Sequence, residues 1–221
     1  MKRQVPLGVL ISGGGTNLQS IIDAIEAKRL DAVVRVVISN KESAYGLVRA
    51  KNHGIPTEVL DHKQFSSREA YDEAIVKLLH ARGVELVILA GFMRLLSPVL
   101  VKAYSNRIMN IHPALLPAFP GLHGQKQAVE YGVRFAGCTV HFVNEECDQG
   151  PIIIQAIVPA YPDDTEETLA ARILKQEHRI YPRAIQLYSE GRLRVEGRKV
   201  LVHGVEKDDA AALMNPPEGK R

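Results

Sequence analysis

The sequence predicts an α/β fold, a mostly parallel twisted sheet with helices on both faces and an antiparallel strand pair in the C-terminal half. Three observations carry this reading. Short β-branched apolar runs alternate with helical patterns along the first half of the chain. Cap residues and glycine stops separate them. After residue 121 the alternation ends, and two apolar runs follow each other with only "NEECDQ" between them.

Residues 7–12 form a buried first strand followed by a glycine cluster, after which Leu18, Ile21, Ile22 and Ile25 recur at helical spacing. "AVVRVVIS" is the second strand. A short helix over 45–51 leads to "IPTEVL", where Pro56 favours an edge or entry position. "SREAYDEAIVKLLHARG" is an amphipathic helix capped by Ser66 or Ser67 and stopped by Gly83. "ELVILAG" is a central strand. "SPVLVKAY" starts with Ser97 as cap and Pro98 at the first helical position, where a missing N–H costs nothing. "RIMNI" is the next strand and runs into "NIHPALLPAFPG", whose three prolines forbid a helix and make a continuing strand unfavourable. "QKQAVEYG" is a short helix, and "FAGCTVHFV" and "GPIIIQAIVP" are the antiparallel pair. "DDTEETLAARILKQEHRIYPRAIQLYSEG" is a long helix with an expected capping box of Asp164 with Glu167 and a kink near Pro182. "RLRVEGRKVLV" reads as a hairpin. Residues 1–204 are expected to form one domain and 205–221 a C-terminal tail.

At 221 residues the chain is long enough for one sizeable core. A net charge of +3 without a basic run gives no reason to expect a nucleic-acid or membrane surface. No apolar stretch reaches the ~18 residues of a membrane span. Pro6 interrupts the first apolar run, which argues against a secretory signal. Cys138 and Cys147 have neither zinc nor CxxC spacing, so reduced thiols, a cytoplasmic location and no metal are expected.

In such a sheet, ligands bind beyond the carboxyl ends of the strands. Three segments fall there: "SGGGTN", "AGFMRLL" and "NIHPALLP". The first is neither a Walker loop, since no Gly-Lys-Ser/Thr follows, nor a good dinucleotide fingerprint, since Leu18 stands at the third glycine position. A single phosphate on Gly15, Thr16 and Asn17 fits the helix N-terminus; a tight turn with a polar cap fits it too. Asn110 and His112, at i and i+2 of an extended strand, would face the same side. An amide and an imidazole together can donate to an oxygen gaining negative charge, and the imidazole can carry a proton. No Ser or Cys nucleophile stands in a recognisable elbow, so direct attack of one substrate on another is favoured over an acyl-enzyme. Asp148, if the fold brings it near His112, would favour imidazolium, although the spacing does not show that they meet and turns carry Asp for reasons of their own. Glu177 falls on the apolar stripe of the long helix and therefore needs a partner, a ligand's hydroxyls or a neighbouring Arg.

Taken together, "SGGGTNLQ", "AGFMRLLSP" and "NIHPALLPAFPG", with "NKESAYGLVRA", "SREAYDE", "GCTVHFV", "DQGPIIIQA" and "QEHRIYP", make the chain resemble the phosphoribosylglycinamide formyltransferase family over residues 7–193. The resemblance implies a Rossmann-like formyltransferase fold. It also implies formyl transfer from 10-formyltetrahydrofolate, as co-substrate, to the primary amine of glycinamide ribonucleotide in purine biosynthesis, by a monomer or homodimer. It assigns Asn110, His112 and Asp148 as the catalytic trio, with His112 the proton donor and Asp148 holding it protonated. Gly15, Thr16, Asn17, Gly91, Pro113, Gln176 and Glu177 would bind the ribonucleotide, Glu177 through the ribose hydroxyls. Arg68, Met93, Arg94, Leu95, Leu96, Asn110, Val143, Asn144, Glu145, Glu146, Cys147 and Asp148 would bind the folate. A cis bond at Leu116–Pro117 is implied as well. The sequence departs from relatives after "PGLH", where it reads "GQKQA", and this leaves Gln125 and Lys126 without an assigned contact.

Two other readings compete. A formyltetrahydrofolate hydrolase would let water attack, and "SGGGTN" speaks against it as a phosphate site. A non-catalytic nucleotide-binding module would not need Asn110, His112 and Asp148. Relatives acting on initiator tRNA carry a further C-terminal domain and the hydrolases an N-terminal regulatory one; neither is expected in a chain of this length.

Overall fold

The computed structural model describes residues 3–204. Among the described residues, nine strands form one sheet in the order β3-β2-β1-β4-β5-β6-β7-β9-β8. The parallel half comprises β1 (Val5–Ile11), β2 (Ala32–Ser39), β3 (Thr57–Val59), β4 (Leu86–Leu89) and β5 (Ile108–His112). Its connecting helices are α1 (Thr16–Glu26), α2 (Tyr45–Asn52), α3 (Arg68–Ala81) and α4 (Pro98–Ala103). The centre of this half is apolar on both faces, as a parallel sheet between helix layers requires: every residue of β4 is buried.

From β5 onward the direction changes. β6 (Phe135–Phe142) pairs antiparallel with β5, and β7 (Ile152–Pro159) antiparallel with β6. The expected antiparallel pair is therefore present, and β5 also takes part in antiparallel pairing. The hairpin of β8 (Leu193–Glu196) and β9 (Lys199–Val202) joins the same sheet through β9 beside β7. Between β5 and β6 lie the proline loop and α5 (Gly124–Tyr131). No helix among the described residues is long and apolar enough to cross a membrane.

Two cores flank the sheet. One joins Leu18, Ile21 and Ile22 of α1 to Leu169, Ile173, Tyr181 and Ile185 of α6 (Glu166–Ser189) over the inward residues of the central strands. The other packs Tyr71, Ile75 and Leu79 of α3, Leu100 of α4 and Tyr104 just after it against Leu10, Ile38 and Val87. Alternate residues along β1, β4 and β5 feed opposite cores, whereas the core residues of β6 and β7 join the first one.

Most boundaries follow the sequence signals. Ser67 caps α3 by accepting from the Ala70 N–H at 3.0 Å, Pro98 stands in the first turn of α4, and β3, entered just after Pro56, is an edge strand. The start of α6 differs from expectation. Its capping box is Thr165 with Thr168, each side chain accepting from the other's backbone N–H. Asp164 is instead occupied by Arg172, at 2.7 and 2.8 Å, and by the Thr168 hydroxyl. A guanidinium that binds both carboxylate oxygens outcompetes an end-of-helix N–H. Pro182 lies inside one continuous helix. The expected tail falls outside the described residues.

Tyr181 fixes α6 to the end of the sheet that matters. Fully buried, its hydroxyl lies 3.0 Å from the Leu89 carbonyl, at the carboxyl end of β4, and 2.9 Å from that of Met109, near the start of β5 and next to Asn110. Burial pushes the phenol well above its ordinary range, so the hydroxyl keeps its proton for these carbonyls. Tyr181→Phe leaves both without that donor and is expected to cost about 1–2 kcal/mol, a few degrees of Tm in a thermal melt; an unchanged Tm would show that the bonds hold nothing.

Candidate active site

The carboxyl ends of β1, β4 and β5 bring the three predicted segments to one edge. Ser12 at the end of β1 receives the Met93 N–H on its hydroxyl at 2.9 Å, and its own N–H donates to the Gly91 carbonyl at 3.1 Å. Its Oγ donates in turn to Asn40 at 2.7 Å. One small polar residue thus ties the glycine turn to the segment after β4.

The glycine turn is shaped by crowding. Gly15 has φ +69°, and a Cβ there would meet the Gly46 Cα at 2.6 Å, so α2 approaches closer than any side chain allows. Arg49 reaches back from α2 to donate to the Gly14 carbonyl at 2.9 Å. No side chain caps α1, so its leading N–H groups face outward, the arrangement that receives an anion. Asn17, in the first turn of α1, donates Nδ2–H to Glu177 Oε2 at 2.8 Å, and its Oδ1 is buried without a partner among the described residues. The structure therefore brings two expected ribonucleotide residues into contact and answers what partner Glu177 has. Glu177 is 7% exposed. Burial raises its pKa, opposed by the Asn17 amide and the His112 charge. Gln176, one residue earlier, accepts from Arg179 at 2.9 Å.

Asn110 and His112 both lie in β5, as the strand alternation requires. His112 is buried; its Nε2–H donates to the Phe119 carbonyl at 2.9 Å, and Nδ1 lies 3.4 Å from Asp148 Oδ2. That is ion-pair distance, longer than a tight hydrogen bond. Asp148 adopts φ +54°, in the turn between β6 and β7. Its Oδ2 also accepts the Gly121 N–H at 2.8 Å, which fastens this turn to the end of the proline loop. The turn closes tightly because of Gly150, where a Cβ would fall 1.7 Å from the Phe142 carbonyl oxygen. Aspartate and imidazole, 36 residues apart in sequence, meet because β5 and β6 are neighbours.

The proline loop is held from beneath. Thr139 of β6 donates to the Ala114 carbonyl at 2.7 Å and accepts from the Leu116 N–H at 3.1 Å and from Gln155 Nε2 at 3.0 Å, so its hydroxyl is saturated. Gln155 of β7 also donates to the Leu116 carbonyl at 2.9 Å. The Leu116–Pro117 peptide is cis, as the resemblance implied. Pro113 lies in this braced stretch.

Most of the expected folate residues lie in the segments that follow β4 and β6. Met93 and Leu95 are 66% and 60% exposed, apolar side chains turned to solvent. Arg94 lies over the Tyr71 ring at 5.4 Å, and its buried Nε has no partner among the described residues. Leu96 and Val143 pack against the α3 core. Arg68 opens α3 and pairs with Glu69 at 3.7 Å. In the 144–148 turn, Asn144 accepts the Glu146 N–H at 3.2 Å, Glu145 pairs with Lys102 at 3.8 Å, and Cys147 Sγ lies 3.6 Å from Asp148. Lys126 pairs with Glu130 along α5 at 3.8 Å.

Sequence reasoning gave no role to His141, Thr139, Gln155, Ser12 or Arg49. The first two carried a signal: "TVH" in an otherwise apolar strand places two polar groups on one face, both fully buried. Such groups require partners.

Two outcomes follow from this geometry. Thr139→Val strips the Ala114 carbonyl and the Leu116 N–H of their partner and is expected to destabilise the protein by on the order of 3 kcal/mol, lowering Tm by ~6–12 °C; a Tm within a degree of the parent would contradict the bracing role. The raised pKa of Glu177 means that folding favours its protonated form. Stability from this group is therefore full below the ordinary carboxylate range and lost as pH rises through the folded value. Glu177→Gln, which still accepts from Asn17, is expected to melt higher than the parent at pH 8, with the gap narrowing toward pH 4. A melt at pH 8 with no gain would refute the burial penalty.

The formyl transferase family model matches residues 7–185. The phosphoribosylglycinamide formyltransferase of Escherichia coli (strain K12) is 47% identical over 196 residues, 89% of this chain and 92% of that protein. The trifunctional purine biosynthetic protein adenosine-3 of Drosophila melanogaster is 51% identical over 192 residues, 86% of this chain but 14% of that protein. The crystal structure of glycinamide ribonucleotide transformylase 1 from Symbiobacterium toebii superposes with a TM-score of 0.89 at 54% identity, covering 90% of this chain and 94% of that one. A family model matched over most of the length, and relatives about half identical along the whole fold, establish that this chain belongs to the formyl transferase family, among the phosphoribosylglycinamide formyltransferases.

Proposed function

We propose that this formyl transferase passes the formyl group of 10-formyltetrahydrofolate to the primary amine of glycinamide ribonucleotide, a step of purine synthesis, by direct attack within the cleft at the ends of β1, β4 and β5. The observation that supports the reading is the approach of Asp148 to His112, whose Nδ1 lies 3.4 Å from the carboxylate, two residues along β5 from Asn110, in a fold that also pairs Asn17 with Glu177 at the glycine turn. An anion site next to an oxyanion site fits an acceptor with a phosphate at one end and a nucleophile at the other.

The outward N–H groups of Gly15, Thr16 and Asn17 take the phosphate. Glu177 accepts from the ribose hydroxyls, and Gly91, Pro113 and Gln176 border the acceptor. Met93, Leu95, Leu96 and Val143 supply apolar surface for the pterin ring, and the backbone of 144–148 closes over it. Arg68 and Arg94 supply positive charge for the carboxylates of the folate tail.

The amine lone pair attacks the formyl carbon, and the carbonyl oxygen becomes an oxyanion. Asn110 Nδ2–H and the His112 Nε2–H, which the Phe119 carbonyl holds in its absence, donate to that oxygen. The attacking nitrogen loses its extra proton, the bond to the folate N10 breaks, and N10 leaves with a proton delivered through His112. Asp148 stabilises the positive charge on His112 while it gives and regains that proton. The two free cysteines agree with a reducing, cytoplasmic setting.

His112→Ala and Asp148→Asn are each expected to lower kcat by 10²-fold or more with the KM for the ribonucleotide changed less than threefold. Steady-state assays with the ribonucleotide varied, run beside an acceptor-free control for hydrolysis, provide the check. Turnover equal to the parent, or release of formate without acceptor at the same rate, would overturn the assignment.

A further inference from the structure

His141 lies directly opposite Asn110 in the β5–β6 pair and is 1% exposed. Its Nδ1 is 2.9 Å from the Phe142 carbonyl. A carbonyl only accepts, so Nδ1 carries a proton. Its Nε2 lies 3.2 Å from Asn110 Nδ2. An amide nitrogen only donates, so Nε2 must present its lone pair. These two contacts together require a neutral ring with the proton on Nδ1. A proton on Nε2 would set two N–H groups against each other.

We propose that His141 is a positioning residue that fixes which end of the Asn110 amide faces the reacting carbonyl. One N–H of Asn110 is held by Nε2, and the planarity of the amide then points the second N–H of the same nitrogen away from His141, free for the oxyanion. The flipped amide would lay its oxygen against the Nε2 lone pair and offer an acceptor to a developing negative charge, which is doubly unfavourable. Of the charged groups around the ring, Asp148 Oδ1 is 3.7 Å from Nε2 and His112 stands two residues along from Asn110 on β5. Burial pushes His141 below the ordinary imidazole range, with the His112 charge in the same direction and the Phe142 carbonyl and Asp148 opposing. The neutral ring is thus also the one that the surroundings favour. This inference rests on the oxyanion role given to Asn110 above.

Two measurements test it. In the unmodified enzyme, ¹⁵N NMR of labelled histidine at pH 7.5 is expected to show His141 with Nδ1 protonated and Nε2 bare; a protonated Nε2 would overturn the inference. In a double-mutant cycle, Asn110→Ala is expected to lower kcat ~100-fold. His141→Leu should lower kcat by about tenfold with both KM values within threefold, and cost less than twofold further in the Asn110→Ala background. His141→Gln, whose amide oxygen can accept in place of Nε2, should recover most of the loss. The same loss in both backgrounds would mean that His141 does not act through Asn110, leaving the oxyanion role intact. Parent-like turnover of Asn110→Ala would remove both. If the leucine variant does not fold, the NMR tautomer and the glutamine variant run through the same cycle still decide.

Discussion

The site depends on β6 running antiparallel beside β5. A parallel strand there would bond through slanted, evenly spaced bonds, without the directly opposed residue pairs of an antiparallel ladder. Antiparallel pairing instead lets the two strands share a face residue for residue. His112 stands opposite Thr139 and Asn110 opposite His141. The turn leaving β6 then folds back over the end of β5, and Gly150 lets it approach closely enough for Asp148 to reach His112. Three polar functions follow from one pairing: Thr139 braces the proline loop, His141 meets the amide, and Asp148 faces the imidazole.

Rigidity is unevenly distributed. The strand ends that bear Asn110 and His112 are backed by two apolar cores and by the Tyr181 hydroxyl. The proline loop hangs on side-chain bonds from Thr139, Gln155 and His112 and on the Gly121 N–H held by the Asp148 carboxylate. Groups that act on a developing charge gain most when they need no reorganisation, and the deepest of them here are held by strands rather than loops. His112 shows the same principle: its Nε2–H is already turned toward an oxygen, that of Phe119, and in the proposed transfer it would exchange one acceptor for another.

Much of this was legible in the sequence because local rules coincide with the fold. Alternating strand and helix patterns gave the parallel half, and the short "NEECDQ" link gave the β6–β7 pair. The i, i+2 spacing put Asn110 and His112 on one face, and a carboxylate on an apolar helical stripe marked Glu177 as needing a partner. The remainder depends on contacts between distant residues, which no local pattern encodes. That Glu177 pairs with Asn17, 160 residues away, is fixed by α1 packing on α6. Asp164 looked like a cap because its spacing suited one, but Arg172 on the next turns competed for it and Thr165 took the role. Thr139 and His141 mark one face of an apolar strand as polar, but which groups they meet is readable only once the opposite strand is known.

The central claim is that Asn110, His112 and Asp148 surround one tetrahedral centre. Its most direct test is the affinity of a folate analogue bearing a tetrahedral gem-diol where the formyl carbon sits, measured by calorimetry on the parent and on Asn110→Ala, His112→Ala and Asp148→Asn. Groups that act on the transition state should lose affinity for this analogue in proportion to their loss of kcat/KM, while a planar folate analogue binds all four proteins alike. Undiminished binding of the gem-diol to the three variants would contradict the account.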